Sequence, residues 1–282
     1  MKEIAFTKMH GAGNDYIYIY CPESIPDNIG QLAVKMSDRH FGVGGDGIVL
    51  ILPGKDTDFK MRMFNADGSE AQMCGNASRC VGKYVYDNGL TNKTLITLDT
   101  LAVVKILDLH IGKDLMVDTV TVDMGMPETE ALKVPVKYND APEMIEAPVE
   151  TSAGTLNITA VSMGNPHGVI FVEDLDSVFS HPLGRELEIN PIWPEKANIE
   201  FAQLIDPENI RMRVWERGSG ETLACGTGAC ATAVAAFKTG RAGRKVTLHL
   251  LGGNLDIEIA DNGHVMMTGG ATTVFNGVYF DR

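Results

Sequence analysis

Short apolar or alternating runs, bounded by Gly, Pro, Asn or Asp, recur along this chain and predict a protein rich in β-strands. Many of these runs carry β-branched side chains, which suit a pleated backbone. The predicted strands are 17–20, 47–52, 60–64, 94–98, 117–122, 211–215 and 277–280. The last of them is expected to return to the first half of the chain.

A first pair of helices is predicted between the strands. Asp27 is expected to cap a helix that runs to about Arg39. Its apolar face is formed by Ile29, Leu32, Ala33 and Met36. A matching helix is expected at about residues 180–190.

A second pair of helices begins directly after two cysteines in similar settings. One is predicted to run from Gly75 to a stop at Asn88-Gly89, and the other from Gly226 to Gly240. Apolar positions recur at helical spacing in both, so each helix is expected to lie centrally and to be wrapped by strands.

A constant offset of 151 positions relates the two halves of the chain. The matched pairs are Cys74/Cys225, Asn14/Asn165, Gly47/Asn198 and Asn65/Glu216. We therefore predict an α+β fold of two pseudo-symmetric domains that arose by duplication, each a β-rich sheet around a central helix. The predicted domains are 1–125 together with about 273–282, carrying Cys74, and 126–272, carrying Cys225.

Charge and hydropathy exclude several classes of partner. The chain of 282 residues has a formal net charge of −13, which repels nucleic acid and anionic membrane surfaces. No apolar run approaches the length of about 18 residues that a membrane-spanning helix needs. The first residues lack an apolar signal core, and we expect a cytoplasmic protein without nucleic-acid or membrane partners.

The five cysteines do not form a disulfide framework, because the number is odd and the chain is large. Zinc is disfavoured by the Cys-x5-Cys and Cys-x4-Cys spacings. The glycine-rich run 42–47 lacks the lysine and Ser/Thr of a phosphate-binding loop. Cys21, Cys80 and Cys230 are interpreted as structural, and Asp15, Asp46 and Asp67 as turn residues.

A cysteine at a helix N-terminus has its thiolate stabilised by unpaired backbone N–H groups. The same N–H groups bind a carboxylate. Two such ends would hold an amino acid between two thiols, of which one removes the α-proton and the other delivers a proton to the opposite face. The paired thiols therefore indicate inversion of a stereocentre.

The two cysteine motifs resemble those of the diaminopimelate epimerase family. They are Phe64-Asn-Ala-Asp-Gly-Ser-Glu-Ala-Gln-Met-Cys-Gly-Asn-Ala-Ser-Arg-Cys80 and Trp215-Glu-Arg-Gly-Ser-Gly-Glu-Thr-Leu-Ala-Cys-Gly-Thr-Gly-Ala-Cys230. The segments 10–15, 42–47 and 164–167 are also similar to that family. The resemblance implies a cofactor-independent enzyme, with barrel-like domains, that interconverts LL- and meso-diaminopimelate for lysine and cell-wall synthesis.

The resemblance also implies roles for individual residues. Cys74 and Cys225 match the acid–base pair. The residues matching those that hold the reacting carboxylate are Gly75, Asn76, Gly226 and Thr227. Those matching the residues that hold the distal end of the substrate are Asn14, Asn65, Asn165, Asn198, Glu216 and Arg217. His167 and Glu216 are candidates for tuning the thiol pKa values. Gly47 stands where some members carry glutamine, so we expect this polar contact to the substrate to be missing or supplied by water.

Other functions stay open at this point. A sister racemase of the same fold would act on another amino acid, such as histidine or proline. A thiol redox protein would instead use Cys74 and Cys225 as a reversible disulfide. A homodimer is one expected assembly, although no residue pattern marks an interface.

Overall fold

The chain divides into two units, Met1–Asp123 with Thr268–Arg282, and Met124–Met267. The fold is taken from a computed structural model that describes residues 2–139, 141–179 and 181–281. Among these residues, no helix is both long and apolar enough to cross a membrane.

Eight strands and two helices lie within the described residues 2–123. They are β1 (Lys2–Gly11), β2 (Asn14–Tyr20), α1 (Ile29–Ser37), β3 (Gly47–Pro53), β4 (Phe59–Asn65), β5 (Glu70–Ala71), α2 (Gly75–Asp87), β6 (Leu95–Asp99), β7 (Lys105–Ile111) and β8 (Val117–Asp123). Each of the strands predicted in this part of the sequence overlaps one of these elements.

Ten strands and three helices follow within the described residues after 123. They are β9 (Ala147–Thr151), β10 (Gly154–Ser162), β11 (Pro166–Phe171), α3 (Leu175–Val178), α4 (His181–Glu188), β12 (Asn198–Asp206), β13 (Asn209–Glu216), β14 (Gly220–Thr222), α5 (Gly226–Lys238), β15 (Lys245–Leu250), β16 (Gly253–Ile259), β17 (Val265–Gly270) and β18 (Thr272–Asp281). The last strand belongs to the first unit, where it pairs antiparallel with β1 from Lys2↔Asp281 to His10↔Thr272.

Strand pairing repeats between the units in the same register. In the first unit β2 and β3 are parallel, with Tyr16 opposite Gly47. In the second, β11 and β12 are parallel, with His167 opposite Asn198. The second strand of each pair also pairs antiparallel with the next strand in the chain, β3 with β4 and β12 with β13. The 151-residue offset is therefore a repeat of topology as well as of sequence.

The two central helices, α2 and α5, each contain 13 residues and start 151 positions apart. Cys74 and Cys225 are their N-cap residues, with extended backbones. Beyond their C-termini, Gly89 and Gly240 adopt φ values of 69° and 71°, a left-handed conformation that glycine takes without steric cost. α2 packs against β1, β2, β7 and β8, and α5 packs against β10, β11, β12, β15 and β16.

The outer helices differ in detail from the prediction. The expected cap at Asp27 was wrong, because α1 begins after Asn28, which has a φ of 50° and makes no side-chain cap. The predicted matching helix corresponds to α4, and its expected first residue, Ser180, lies outside the described residues.

Each unit has its own apolar core beneath the outer helix. Ile17, Met36 and Ile48 are fully buried in the first unit, and Leu187 and Phe201 are fully buried in the second. Full burial of such a side chain contributes about 1.5–3 kcal/mol to folding. These cores fix the strand ends that carry the site residues described below.

Candidate active site

The first cysteine of interest, Cys74, lies half-buried at the N-terminus of α2. Its thiol donates a hydrogen bond to Oδ1 of Asn14, with a distance of 3.4 Å between sulfur and oxygen. Gly75 and Asn76 form the buried first turn of the helix. The N–H groups of a first helical turn have no intrahelical acceptor, so this end is suited to binding a carboxylate.

A carboxylate fixes the orientation of Asn14. Nδ2 of Asn14 donates to Oδ2 of Asp46 at 2.8 Å, which leaves Oδ1 to accept from Cys74. Arg39 binds both Asp46 and Asp15, at 2.9 and 2.7 Å. Burial raises the pKa of Asp46, while the hydrogen bond from the backbone N–H of Asp15 opposes this shift. Sequence reasoning placed Asp46 in a turn and missed that it orients a predicted site residue.

Asn65 stands at the end of β4, in register with Gly47 of β3. Its Nδ2 donates to Oγ of Ser69 at 3.0 Å. Asp67 accepts from the backbone N–H of Ser69 at 2.9 Å, in agreement with its interpretation as a turn residue. Asn65 thus belongs to the tight turn between β4 and β5 that leads to Cys74.

The second cysteine, Cys225, is more deeply buried, with 5% of its surface exposed. The backbone N–H of Gly228 donates to its sulfur at 3.4 Å, and Oγ1 of Thr227 lies 3.4 Å from the same atom. Burial raises the pKa of Cys225 well above its usual range, and the carboxylates of Glu216 and Glu200 raise it further. Cys225 therefore carries its proton at neutral pH.

Glu216 is the partner of this thiol. It stands at the end of β13, where Thr222 donates its hydroxyl to Oε1 and Cys225 also hydrogen-bonds the carboxylate. Burial raises the pKa of Glu216, while these two hydrogen bonds and the His167 ring oppose the shift. A carboxylate with a raised pKa is a stronger base than an ordinary one.

Asn198 and Arg217 meet beside Glu216. Oδ1 of Asn198 accepts from the backbone N–H of Arg217 at 2.9 Å, and its Nδ2 donates to the carbonyl of Pro166 at 3.0 Å. The Arg217 side chain is exposed and donates to the carbonyl of Glu195 at 2.9 Å. Asn198 therefore holds the backbone of the Glu216–Arg217 turn.

His167 is fully buried and lies between two polar side chains. Its Nδ1 is 2.7 Å from Oε1 of Glu200, and its Nε2 is 3.1 Å from Oδ1 of Asn165. Sequence reasoning missed Glu200, which is also fully buried. The signal was a single acidic residue between Ile199 and Phe201 in an apolar strand, since a fully buried carboxylate needs a partner.

Two corresponding ion pairs, one in each unit, join the strands that lead to the two thiols. Arg62 binds Glu70 at 2.6 Å, and Arg213 binds Glu221 at 2.6 Å. Both arginines and both glutamates are related by the 151-residue offset. Partly exposed ion pairs of this kind contribute at most about 1 kcal/mol to the stability of the fold. Their role is therefore to hold the paired strands in position.

The remaining thiols are set apart by burial. All five cysteines lie in the described part of the chain and are thiols rather than disulfides. Cys80 and Cys230 are fully buried in α2 and α5, and burial raises the pKa of Cys80 to about 11. Across residues 2–139, 141–179 and 181–281, no group of three His, Cys, Asp or Glu side chains could hold a metal ion.

Comparison with known proteins places this arrangement in a family. The model of the family described as diaminopimelate epimerase matches residues 6–130 and 159–274. The chain belongs to the diaminopimelate epimerase family. The resemblance of the two cysteine motifs is thereby confirmed, and both motifs lie within the matched residues.

Curated relatives in the diaminopimelate epimerase family match nearly the whole chain. The diaminopimelate epimerase of Acetivibrio thermocellus is 52% identical over 273 residues, covering 96% of this chain and 97% of the relative. That of Desulfovibrio desulfuricans is 52% identical over 285 residues, covering 98% of each chain. That of Methanococcus maripaludis is 52% identical over 274 residues, covering 96% and 98%.

Solved structures share the fold at low sequence identity. A PhzF-family phenazine biosynthesis protein of Bacillus anthracis has a TM-score of 0.74 at 16% identity, and the match covers all of both chains. A hydroxyproline epimerase of Agrobacterium vitis has a TM-score of 0.70 at 16% identity, covering 99% of this chain and 91% of that one. The predicted fold, a β-rich α+β duplication typical of the diaminopimelate epimerase family, is confirmed.

Proposed function

We propose that the protein is an isomerase that interconverts LL- and meso-2,6-diaminopimelate without a cofactor, in the synthesis of lysine and peptidoglycan precursors. The observation that carries the proposal is the matched placement of two thiols as N-caps of equal helices. The names and coverage of the curated relatives support the choice of substrate. Cys74 and Cys225 are the proposed acid–base pair.

The first proposed step is removal of the α-proton by one thiolate. Cys225 hydrogen-bonds Glu216, so the carboxylate of Glu216 is placed to take the thiol proton when Cys225 acts as the base. The α-proton then moves to Cys225, and Cys74 delivers its own thiol proton to the opposite face of the carbanion. In the reverse direction the two cysteines exchange roles, as a two-base inversion requires.

Stabilisation of the carbanion is assigned to the helix N-termini. The α-proton of an amino acid is very weakly acidic, and N–H donors on the carboxylate stabilise the negative charge as it develops. Gly75, Asn76, Gly226 and Thr227 are the proposed donors, because they form the first turns of α2 and α5.

Recognition of the distal end is assigned to a polar group of side chains. A glutamate pairs with an ammonium group and an arginine binds a carboxylate, so Glu216 and Arg217 suit a second amino-acid end. The full proposed set is Asn14, Asn65, Asn165, Asn198, Glu216 and Arg217. This set favours diaminopimelate over proline, which has no second charged end.

The decisive experiment follows the α-position of LL-diaminopimelate in heavy water. Wild-type protein, after dialysis against a chelator and without pyridoxal phosphate, is expected to incorporate deuterium and form the meso isomer. Cys74→Ala and Cys225→Ala are each expected to lose about 1,000-fold or more in kcat, because one of the two bases is absent. Cys230→Ala is the matched control and is expected to keep its activity.

Three results would contradict parts of the proposal. Full activity in Cys74→Ala excludes the two-base scheme. Turnover of histidine or proline, but not of diaminopimelate, assigns the protein to a sister racemase. Activity with dithiols, together with a reversible Cys74–Cys225 disulfide, assigns it to thiol redox chemistry.

A homodimer is the proposed assembly. β18 carries Val278 and Phe280 at alternate positions, which share one face of the strand, and Val274 lies at the bulge opposite Lys8 and Met9. Each of the three is at least 50% exposed. Apolar rows of this kind are typical of protein interfaces. Val278→Glu is expected to give a monomer in light scattering, whereas Val103→Glu, at a valine of similar exposure outside β18, is the control. A monomeric wild type would contradict the proposal.

A cytoplasmic location without nucleic-acid partners is also proposed. The negative net charge of −13 and the five cysteines support it, because the reacting thiols must stay reduced. Cell fractionation tests the location, and a filter-binding assay with duplex DNA and RNA tests the absence of nucleic-acid binding.

A further inference from the structure

A buried glutamate at the end of α4 is hydrogen-bonded to the turn that follows β13. Oε2 of Glu188 accepts from Nε1 of Trp215 at 2.8 Å, and Oε1 accepts from the backbone N–H of Gly218 at 3.0 Å. An indole nitrogen and a backbone amide can only donate, so the direction of both hydrogen bonds is independent of any tautomer or side-chain flip. Glu188 therefore joins α4 to the chain on both sides of residues 216 and 217.

Close packing leaves Glu188 little room to move. Gly184 lies one helical turn before it, and an ideal Cβ at Gly184 would be only 2.9 Å from Cγ of the buried Trp215. Leu187, the neighbour of Glu188 in α4, is fully buried in the core of the second unit. Because protein interiors are close-packed, the helix holds the carboxyl group in a fixed position against the turn.

Residues 216–219 form a tight turn whose third residue has a left-handed backbone. The N–H of Ser219 donates to the carbonyl of Glu216 at 3.1 Å, and the φ of Gly218 is 79°. The φ of Arg217 is negative. A negative φ followed by a positive one is typical of a type II turn, which needs glycine or asparagine at its third residue.

The corresponding turn of the first unit has a different conformation. The N–H of Gly68 donates to the carbonyl of Asn65 at 2.9 Å, but the third residue is Asp67, and its φ is negative. Negative φ values at both central residues fit a type I turn. The two types differ by a rotation of roughly 150° about ψ of the second residue, which turns the central peptide over. The N–H of Gly218 therefore faces the opposite side of its turn, where Glu188 accepts it.

The residues that make this contact differ between the two units. At the positions related by the offset of 151, the first unit has Ser37 for Glu188 and Phe64 for Trp215. A phenyl ring has no hydrogen-bond donor. The first unit also has Ala66 where the second has Arg217. The carboxyl contact and the arginine thus occur together in the second unit.

We propose that Glu188 is a positioning residue that holds the 216–219 turn in its type II form and so places Arg217 to bind the distal carboxylate of the substrate. This inference rests on the proposed function, in which Arg217 binds that carboxylate. The N–H of Arg217 is held by Asn198 and the next N–H by Glu188, so both amides of the segment have fixed acceptors. The Arg217 side chain is exposed and can reach a ligand.

Glu216, which contacts the Cys225 thiol, has supports of its own. Its carboxylate accepts from the hydroxyl of Thr222, and its backbone is paired with Gly220 of β14. Loss of the Glu188 contact should therefore weaken binding of the substrate more than it slows the chemistry at the reacting carbon.

Glu188→Gln is the first test, because an amide group has a single oxygen and cannot accept both hydrogen bonds. The type II turn is then populated for a smaller fraction of the time, and the apparent affinity falls with that fraction. With LL-diaminopimelate, KM is expected to rise about tenfold while kcat changes less than about threefold. Glu186→Gln is the matched control and should keep the wild-type KM. Glu186 lies in the same helix and also accepts two hydrogen bonds, both from Ser152.

Gly218→Ala tests the turn without changing Glu188. An added Cβ would have no atom within 4 Å, so the substitution acts only through the positive φ, which alanine disfavours. KM is again expected to rise about tenfold, whereas Gly243→Ala, at an equally open position, should leave it unchanged. The effects of Glu188→Gln and Gly218→Ala should not add in the double variant, because both act on one turn.

Indole N–H signals test the contact independently of turnover. The protein has two tryptophans, and Nε1 of Trp193 has no hydrogen-bond partner among the described residues. In ¹⁵N-tryptophan-labelled protein, with Trp193 assigned by a Trp193→Phe variant, Glu188→Gln is expected to shift the signal of Trp215 and not that of Trp193. Glu186→Gln should shift neither signal. If the wild type does not epimerise diaminopimelate, the proposed function fails, but these signals still decide whether Glu188 holds the turn.

Several outcomes would overturn the assignment. A wild-type KM in folded Glu188→Gln does so, and so does a fall in kcat with unchanged KM, which would show that Glu188 acts on the chemistry instead. If Glu188→Gln fails to fold, a wild-type KM in Gly218→Ala overturns the proposal. Additive effects in the double variant would show that Glu188 does not act through the 216–219 turn.

Discussion

Glu200 and Gly228 fit together only because residue 228 has no side chain, with Oε1 of Glu200 lying 2.6 Å from an ideal Cβ position. Glu200 is also held by His167, so it cannot move aside freely. We expect Gly228→Ala to destabilise the second unit by about 1–3 kcal/mol, in the range measured for overpacked sites. Both tryptophans, Trp193 and Trp215, lie in that unit, so fluorescence during urea unfolding reports this change directly.

Gly243→Ala is the matched control for this prediction. An added Cβ there would have no atom within 4 Å, so the change in stability should stay within about 0.5 kcal/mol. Equal unfolding midpoints for the two variants would show that the Glu200 contact is not restrictive.

Gly47 is expected to reject any side chain, including that of glutamine. An ideal Cβ at this position would lie 2.0 Å from the carbonyl oxygen of Phe64 on the paired strand. Gly47→Ala should therefore destabilise the first unit by about 3 kcal/mol, because backbone atoms must separate. Circular dichroism during thermal unfolding measures the effect, with Gly270→Ala as a control that has no nearby atom. A stable Gly47→Gln protein would contradict the prediction.

Glu216→Gln is expected to lower the pKa of Cys225. Burial is the largest cause of the raised thiol pKa and persists in the variant, but the charge of Glu216, the next cause, is removed. The pH profile of alkylation at Cys225, followed by mass spectrometry of its peptide, should shift towards lower pH. An unchanged profile would show that the carboxylate does not act on the thiol.

Glu216→Gln is also expected to change how the stability of the protein depends on pH. Burial raises the pKa of Glu216 in the folded protein, so the folded state binds this proton more tightly than the unfolded state does. Stability then falls as pH rises from the ordinary carboxyl pKa through the raised one, and stays lower above it. Relative to wild type, Glu216→Gln should gain stability at neutral pH and lose that gain below the ordinary carboxyl pKa. Unfolding midpoints at about pH 3, which is below the ordinary carboxyl pKa of about 4.3, and at neutral pH measure the difference.

Cys80→Ala separates structural from reactive thiols. Cys80 is fully buried, and burial raises its pKa to about 11, so little thiolate forms at neutral pH. We expect epimerase activity within about threefold of wild type and a loss of about 1–2 kcal/mol in stability from the cavity left in α2. Loss of activity in a folded Cys80→Ala protein would assign it a role in the chemistry.

Periodicity and internal repetition predicted the central helices well. Gly75 and Gly226 begin α2 and α5 as expected, because a cysteine followed by small residues and then a regular apolar spacing leaves few alternatives. The cap of α1 could not be predicted in the same way. Asp27 is a better capping residue by type, but Asn28 tolerates the left-handed conformation that the chain adopts there.

Contacts between side chains that are far apart along the chain could not be predicted from the sequence. Asp46 and Asn14 are 32 positions apart, and Glu200 and His167 are 33 positions apart. Each contact depends on parallel pairing of two strands, which sequence alone does not align. Residues 198–202 of β12 are buried on both faces, so the usual alternation of buried and exposed positions gave no warning that Glu200 points inward.

The pairing of β18 with β1 has a consequence for synthesis. The first unit opens with β1, yet its partner strand, Thr272–Asp281, leaves the ribosome only after every residue of the second unit. The second unit is one continuous segment and has all of its residues earlier, and domains generally fold as units during translation. The unit whose synthesis begins first is therefore completed last. During most of translation, the edge of β1 that later pairs with β18 has no partner strand.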